Sequence, residues 1–250
     1  RAMSDTTTSA SGQVIISKLN GVTTLIMNRP KRLNGWSLDL MDELKATFQS
    51  LAHDDETKVL ILTGADPYYC AGVNLGGSMK LGHPQELHDM IVVNNQAWFE
   101  AFLDFPKPFL IAANGPAIGA AVTSATLADA IIASEKATFS TPFAALGVCP
   151  EGCSSVHFER IMGARNADRM LGEEGWKPTA AEAKAAGMVL EVVAHDKLLD
   201  EAQRLAEQWI TDGAVRKYRD PAELNELKAV NAKESIGVAD SFLSAPFMQA

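Results

Sequence analysis

Val59-Leu60-Ile61-Leu62-Thr63 is an unbroken apolar run with turn residues at both ends, and it lacks the alternation of a half-exposed strand. Such a strand is buried on both faces, so the chain must stack other elements above and below it. The stretches Phe109 to Ala113 and Ala130 to Ser134 read as further strands, with helical segments between them. Ahead of them, Val14 to Leu19 and Val22 to Met27 flank Asn20-Gly21, a two-residue hairpin turn signal. Ser37 can cap a helix whose apolar positions Leu40, Met41, Leu44, Phe48 and Leu51 follow helical spacing, with Asp39, Asp42, Glu43 and Lys45 on the other face. The opening is therefore β-β-α-β, and strands and helices alternate thereafter, which makes the fold class α/β.

The remaining elements follow the same logic. A helix runs from about Glu86 to Phe105, stopped by Pro106-Lys107-Pro108, and a helix of small residues covers about Ala117 to Leu127. Ala137 to Ser140 makes a short strand, Leu198 to Thr211 an amphipathic helix, and Asp212 to Ala222 has no clear pattern. Residues 1–12 read as a small, polar tail outside the fold, with Arg1-Ala2 ahead of Met3 resembling an expression scar. Residues 13–195 form the core and 196–250 a C-terminal helical region packed outside it. The helix Leu198 to Thr211 carries an apolar face of Leu198, Ala202, Leu205 and Trp209, to be buried against its own core or in an oligomer.

Composition narrows the function. With 250 residues, 47% hydrophobic and 21% charged, the chain is long enough for one large core and has no disordered or collagen-like bias. A net charge of -9 argues against nucleic acid and acidic membrane surfaces as partners, so an anionic ligand needs a local cationic cluster. Cys70, Cys149 and Cys153 do not have the paired spacing of a zinc site and are too few for a disulfide framework, which points to a reducing compartment. No stretch approaches the roughly 18 apolar residues of a membrane span.

Two segments combine glycine with small residues after buried strands. Tyr69-Cys70-Ala71-Gly72-Val73-Asn74-Leu75 follows the Val59 to Thr63 strand, and its small-Gly step lets backbone N–H groups face a ligand. Asn114-Gly115-Pro116-Ala117-Ile118-Gly119-Ala120-Ala121 joins a strand to a helix whose first amides would face a developing negative charge. Each taken singly is also an ordinary turn. In this order and spacing, however, the pair resembles the crotonase superfamily, the enoyl-CoA hydratases and isomerases, from about Gln13 to Val193. The resemblance implies a spiral of β-β-α units with C-terminal helices that build trimers or hexamers. It also implies a fatty acyl-CoA substrate whose thioester oxygen is held by the backbone amides of Val73 and Ala120. Ala71, Gly72, Asn74, Leu75 and Gly119 are then the neighbouring substrate-binding positions.

Within that superfamily, hydratases hold water with two glutamates, and the matching positions here are Thr123 and Phe143. Neither is a carboxylate. The run Pro150-Glu151-Gly152-Cys153-Ser154-Ser155 instead resembles the peroxisomal type of 3,2-enoyl-CoA isomerase, which makes Glu151 the implied base. Moving a double bond from β,γ to α,β needs one group to take a proton and return it, and apolar neighbours such as Phe143, Val148, Trp98 or Phe102 would raise the proton affinity of that group. Asn95, next to Asn94, resembles a pair in the same isomerases and is a candidate thioester contact. Arg29, Lys31 and Arg32 form the one concentrated basic patch near this site, on the loop that the superfamily uses for the nucleotide end of coenzyme A.

The expected activity is 3,2-enoyl-CoA isomerisation with no metal or redox cofactor, coenzyme A being part of the substrate. Dienoyl-CoA isomerisation, hydration and silent acyl-CoA binding are the alternatives. An RNA-binding relative would need a lysine-rich helix where this chain has Asp39, Asp42 and Glu43 against Lys45. His83, His88, His157 and His195 show no Ser-His-Asp order. The resemblance places the protein in the peroxisome or the mitochondrial matrix, although the chain ends Met248-Gln249-Ala250 rather than in a Ser-Lys-Leu type signal.

Overall fold

Asn20 and Gly21 both adopt left-handed backbone (φ 52 and 81), the geometry a two-residue turn requires to match the twist of its strands. They join β2 (Val14–Leu19) to β3 (Val22–Met27) in antiparallel register, Leu19 opposite Val22. A computed structural model describes residues 5–73 and 83–244 of the chain. From β3 onward the sheet is parallel, through β4 (Val59–Gly64), β5 (Phe109–Ala113), β7 (Ala130–Ser134) and β9 (Glu191–Val193). With β1 (Asp5–Thr8) the order is β1-β2-β3-β4-β5-β7-β9, and β6 (Ala117–Ile118) pairs separately with β8 (Phe139–Ser140).

Helices cover both faces, as the unbroken apolar strands demand. Leu60 and Leu62 point into the larger core, where α1 (Leu38–Ala52, capped by Ser37) and α2 (Pro84–Asp104) contribute Leu44, Phe48, Trp98 and Phe102. Val59 and Ile61, one residue out of phase, point to the other face and meet α7 (Leu198–Thr211) through Leu198, Ala202 and Ala206. The remaining helices are α3 (Ala120–Ala125), α4 (Phe143–Leu146), α5 (Ser154–Leu171), α6 (Ala180–Ala186) and α8 (Pro221–Phe242).

Three expectations need correction, and one left open is decided. Residues 5–8 are not a tail: Asp5–Thr8 pairs with β2 as an edge strand, with three consecutive β-branched threonines favouring extended backbone. The stretch from Ala117 is not all helix, because Ala117–Ile118 is drawn into a strand beside β8 and Gly119 (φ 61) turns the chain before α3 begins. Of the two settings open to the apolar face of α7, its own core or an oligomer, the structure takes the first, with Leu198, Ala202, Leu205 and Trp209 packed on the chain's own sheet. The C-terminal region does not lie outside the core either. Its helix α8 lies along α2, with Asn231 Nδ2 donating to Gln96 O at 2.9 Å. Among the described residues no helix is long and apolar enough to cross a membrane.

Candidate active site

One cavity gathers most of the residues singled out by the sequence. Ala71, Gly72 and Val73 line it from the loop after β4, Gly119 and Ala120 from the start of α3, and Phe143 from α4. Asn94 and Asn95 enter from α2, Val238 and Phe242 from α8, and Glu151 from the loop between α4 and α5. Asn74 and Leu75 lie outside the described residues.

The Gly72 loop is tied by backbone to residues 33–36 on one side and to the Gly119 loop on the other. Trp36 N donates to Gly72 O (2.8 Å), Ala71 N to Leu33 O (3.0 Å), and Ile118 N to Cys70 O (3.0 Å). Gly72 has φ 85, and a Cβ there would lie 2.6 Å from Ile118 O, so only glycine lets the two loops approach this closely. Asn114 fixes the base of both loops, accepting from Gly64 N (3.0 Å) and donating to Asp66 Oδ1 (3.0 Å) and Tyr68 O (3.2 Å). Asn34 Nδ2 donates to Ala65 O (2.7 Å) and Tyr68 O (2.8 Å) from the other side. Among the described residues neither Val73 N–H nor Ala120 N–H has an acceptor. Two amide donors left open beside a cavity are suited to an oxygen on which negative charge develops.

Glu151 is the one carboxylate among the described residues that line the cavity, and it is only 8% exposed. Burial first, and then the negative charge of Glu234, push its proton affinity up to a pKa of about 8. Behind it, Gly152 (φ 62) presses on α2 and α3, where a Cβ would come within 2.6 Å of Phe99 and 2.7 Å of Thr123 Oγ1. Thr123 is fully buried, its hydroxyl donating to Ala120 O at 3.3 Å, and Phe143 is nearly so. The two positions where hydratases carry glutamates are thus filled by a methyl-bearing hydroxyl and an aromatic ring.

The basic patch sits on the short turn Pro30–Arg32, along the loop that contacts Ala71 and Gly72, and not in the cavity. Arg29 is engaged locally: Nη1 donates to Gly35 O (3.1 Å) and Ser37 Oγ (2.9 Å). Lys31 and Arg32 are exposed. Asn95 Nδ2 donates to Ser235 Oγ at 3.0 Å, which ties the α2 wall to α8.

The structure also assembles residues that sequence reasoning left apart. Ser134 Oγ lies 2.9 Å from His195 Nδ1, and His195 Nε2 lies 2.9 Å from Asp66 Oδ2, a Ser-His-Asp chain after all. Ser134 has no exposed surface and also accepts from Lys136 N (3.1 Å), so it offers no nucleophile to a substrate and serves to pin β7 to the β4 loop. His157 is a core histidine, with Nε2 3.0 Å from Thr126 O and 2.9 Å from Tyr218 Oη, and burial lowers its pKa. Missed altogether were the contributions of α8: Val238 and Phe242 in the cavity wall and the buried Glu234. The signal was present, since Leu227, Asn231, Glu234 and Val238 share one face at helical spacing, and all of them are buried, a carboxylate included.

Comparison with known proteins bears on the family and the fold. The family described as enoyl-CoA hydratase/isomerase matches residues 17–231. Human "Enoyl-CoA delta isomerase 2" is 35% identical over 237 residues, which cover 88% of this chain and 57% of the relative, so the chain spans little more than half of that protein. Mouse "Enoyl-CoA delta isomerase 3, peroxisomal" is 34% identical over 245 residues, covering 90% of this chain and 72% of the relative. The crystal structure of an enoyl-CoA hydratase/isomerase from Pseudoalteromonas atlantica superposes with a TM-score of 0.80 at 27% identity, covering 94% of each chain. On the family match over most of its length, and on a fold shared with a solved member, the chain belongs to the enoyl-CoA hydratase/isomerase family of the crotonase superfamily.

Proposed function

We propose that the chain is a 3,2-enoyl-CoA isomerase, acting on 3-enoyl-CoA to give 2-trans-enoyl-CoA. The observation that carries this reading is Glu151, the one carboxylate among the described residues that line the cavity, facing the same space as the open amides of Val73 and Ala120. The ionised carboxylate of Glu151 takes a proton from the α-carbon of the acyl chain. The electron pair moves toward the thioester carbonyl, giving a dienolate whose oxygen accepts hydrogen bonds from the two amides. Glu151, now protonated, returns the proton to the γ-carbon, and the double bond settles between the α and β carbons. One group that gains and then loses one proton completes the cycle, so the reading calls on no cofactor. The names of the human and mouse relatives, both delta isomerases, support it.

Water addition needs a second group to place and deprotonate water, and Thr123 and Phe143 supply none. The apolar lining of the cavity, with Phe143, Val148 and Phe242, also disfavours ordered water near the dienolate. Lys31 and Arg32, exposed on the turn whose loop contacts Ala71 and Gly72, are the proposed partners of the phosphates of coenzyme A. Peroxisome or mitochondrial matrix is the proposed location, in keeping with the name of the mouse relative.

The test is product analysis. Purified protein given 3-enoyl-CoA should form 2-enoyl-CoA with negligible 3-hydroxyacyl-CoA. Glu151→Gln keeps the size and removes the base, so kcat should drop by about 10⁴ or more, at or beyond the top of the usual range for general acid–base loss, while binding of a saturated acyl-CoA persists. Hydration as the main reaction, or a folded Gln variant keeping a tenth of the rate, would refute the assignment.

A further inference from the structure

The helix α5 starts without a cap of its own. Its entry residue Cys153 has left-handed backbone (φ 65), and its thiol donates to Leu227 O at 3.2 Å instead of facing the helix amides. The first amides of a helix are unsatisfied donors unless something outside it accepts from them. Here the acceptor comes from 81 residues further along the chain. Glu234 Oε2 accepts from Cys153 N at 2.6 Å, and Oε1 accepts from Ser155 N at 3.0 Å and from the Ser155 hydroxyl.

That cap lies beside the base. Glu151 O accepts from Ser154 N (3.1 Å) and Ser154 Oγ (2.6 Å), so Glu151 to Ser155 is one hydrogen-bonded turn with Glu234 fastened to its far end. The next residue of α8, Ser235, accepts from Asn95 Nδ2, and Val238 one turn on lines the cavity. Adjacent residues of one helix therefore hold both the loop of the base and the opposite wall.

We propose that Glu234 is a positioning residue of this active site, fixing the loop that carries Glu151 and supplying the standing negative charge beside it. The proposal rests on Glu151 being the base. The two acids are buried together but are not equivalent. Glu234 accepts from three donors, whereas among the described residues no donor reaches the carboxyl of Glu151. Burial raises the proton affinity of Glu234 too, but its three donors act against that and favour its ionised form, so of the pair Glu234 ionises first and Glu151 keeps its proton to higher pH. Among the described residues α2, α3 and α4 present no ionisable side chain to the cavity. The other titratable groups beside the pair are the thiols of Cys149 and Cys153, whose pKa values are themselves raised, burial being the main cause.

The experiment is a ¹³C NMR titration of protein labelled at the glutamate side-chain carboxyls, with Glu151 assigned from Glu151→Gln and Glu234 from Glu234→Asp. In the wild type Glu234 should ionise at lower pH than Glu151, and in Glu234→Gln the Glu151 midpoint should move down by about half a pH unit or more. The acid limb of kcat/KM should move with it, and kcat should fall about tenfold while KM stays within about twofold. Glu234→Asp keeps the charge and should leave the acid limb where the wild type has it. The reverse order of ionisation in the wild type, or a Glu234→Gln variant whose Glu151 midpoint is unmoved, would overturn the proposal. If the Gln variant does not fold, the wild-type order and the limb of the Asp variant decide. A wild type with the expected order but no isomerase turnover refutes the isomerase reading alone.

Discussion

At the residue scale, the burial of Glu151 has a cost in stability that depends on pH. Its folded pKa of about 8 lies above the ordinary 4.5 of a free glutamate, so the folded state binds this proton more tightly than the unfolded chain does. The stability linked to it is fully present below about pH 4.5 and is lost as the pH rises through about 8. At roughly 1.4 kcal/mol for each tenfold change in proton affinity, the difference amounts to a few kcal/mol. Glu151→Gln places an uncharged group in the same space, so the variant should match the wild type near pH 5 and melt roughly 5–10 °C higher near pH 9. Parallel melting curves across that range would show that Glu151 is ionised without cost. The same burial that weakens the fold at alkaline pH gives the group a proton affinity suited to taking and returning a proton near neutrality.

At the element scale, the cavity is a junction of six stretches of chain, which come together from distant parts of the sequence. Gly72 is the tightest point: its φ of 85, and the 2.6 Å that would separate a Cβ from Ile118 O, leave no room for a side chain. Gly72→Ala should cost about 1–3 kcal/mol through the backbone alone and must also push the Val73 loop away from the start of α3. The expected result is a folded protein with a lower melting temperature and kcat/KM reduced by more than about 10², since an oxyanion donor is typically worth that much. Gly12, which has φ 74 but no atom within 4 Å of a Cβ, is the control, and Gly12→Ala should leave activity unchanged. The corrected element boundaries have a common cause: Asp5–Thr8 and Ala117–Ile118 become strands because β2 and β8 offer each of them a partner, to which the threonines of the first segment add a local preference for extended backbone.

At the scale of the whole molecule, the question is what remains for a partner once α7 is spent on the sheet. Val93 (64% exposed) and Ile236 (49% exposed) are large apolar residues left on α2 and α8, the helices that flank the cavity. Apolar exposure of this kind is relieved by association, and trimers or hexamers are the states that the family resemblance implies. Light scattering at micromolar concentration should return the mass of three or six 26.8 kDa chains, and a stable monomer would refute this. Within one chain the C-terminal region is anchored by Arg216, whose guanidinium has no exposed surface, pairs with Asp129 Oδ1 at 2.8 Å and donates to Phe102 O (2.9 Å) and Phe105 O (3.2 Å). This ties the segment between α7 and α8 to the core and so sets where α8, with Glu234, meets the active site.

The sequence by itself determined the elements whose signal is local. Asn20-Gly21 closes its hairpin because two adjacent residues tolerate left-handed backbone, and the apolar phase of Val59 to Thr63 assigns its side chains to two faces. The motifs around Gly72, Gly119 and Glu151 were legible only as a set, through the resemblance that their order and spacing carry, since each taken singly is an ordinary turn or a loop carboxylate; all three reach one cavity. Tertiary structure alone decided what covers the apolar face of α7, which patternless residue in 212–220 becomes a buried anchor, and which distant carboxylate caps α5. Each of these depends on partners 80 or more residues away, as with Arg216 and Asp129 or Glu234 and Cys153. A charge on a helix or loop is solvated by default, and only the packing of the completed chain removes its water and leaves it three donors instead.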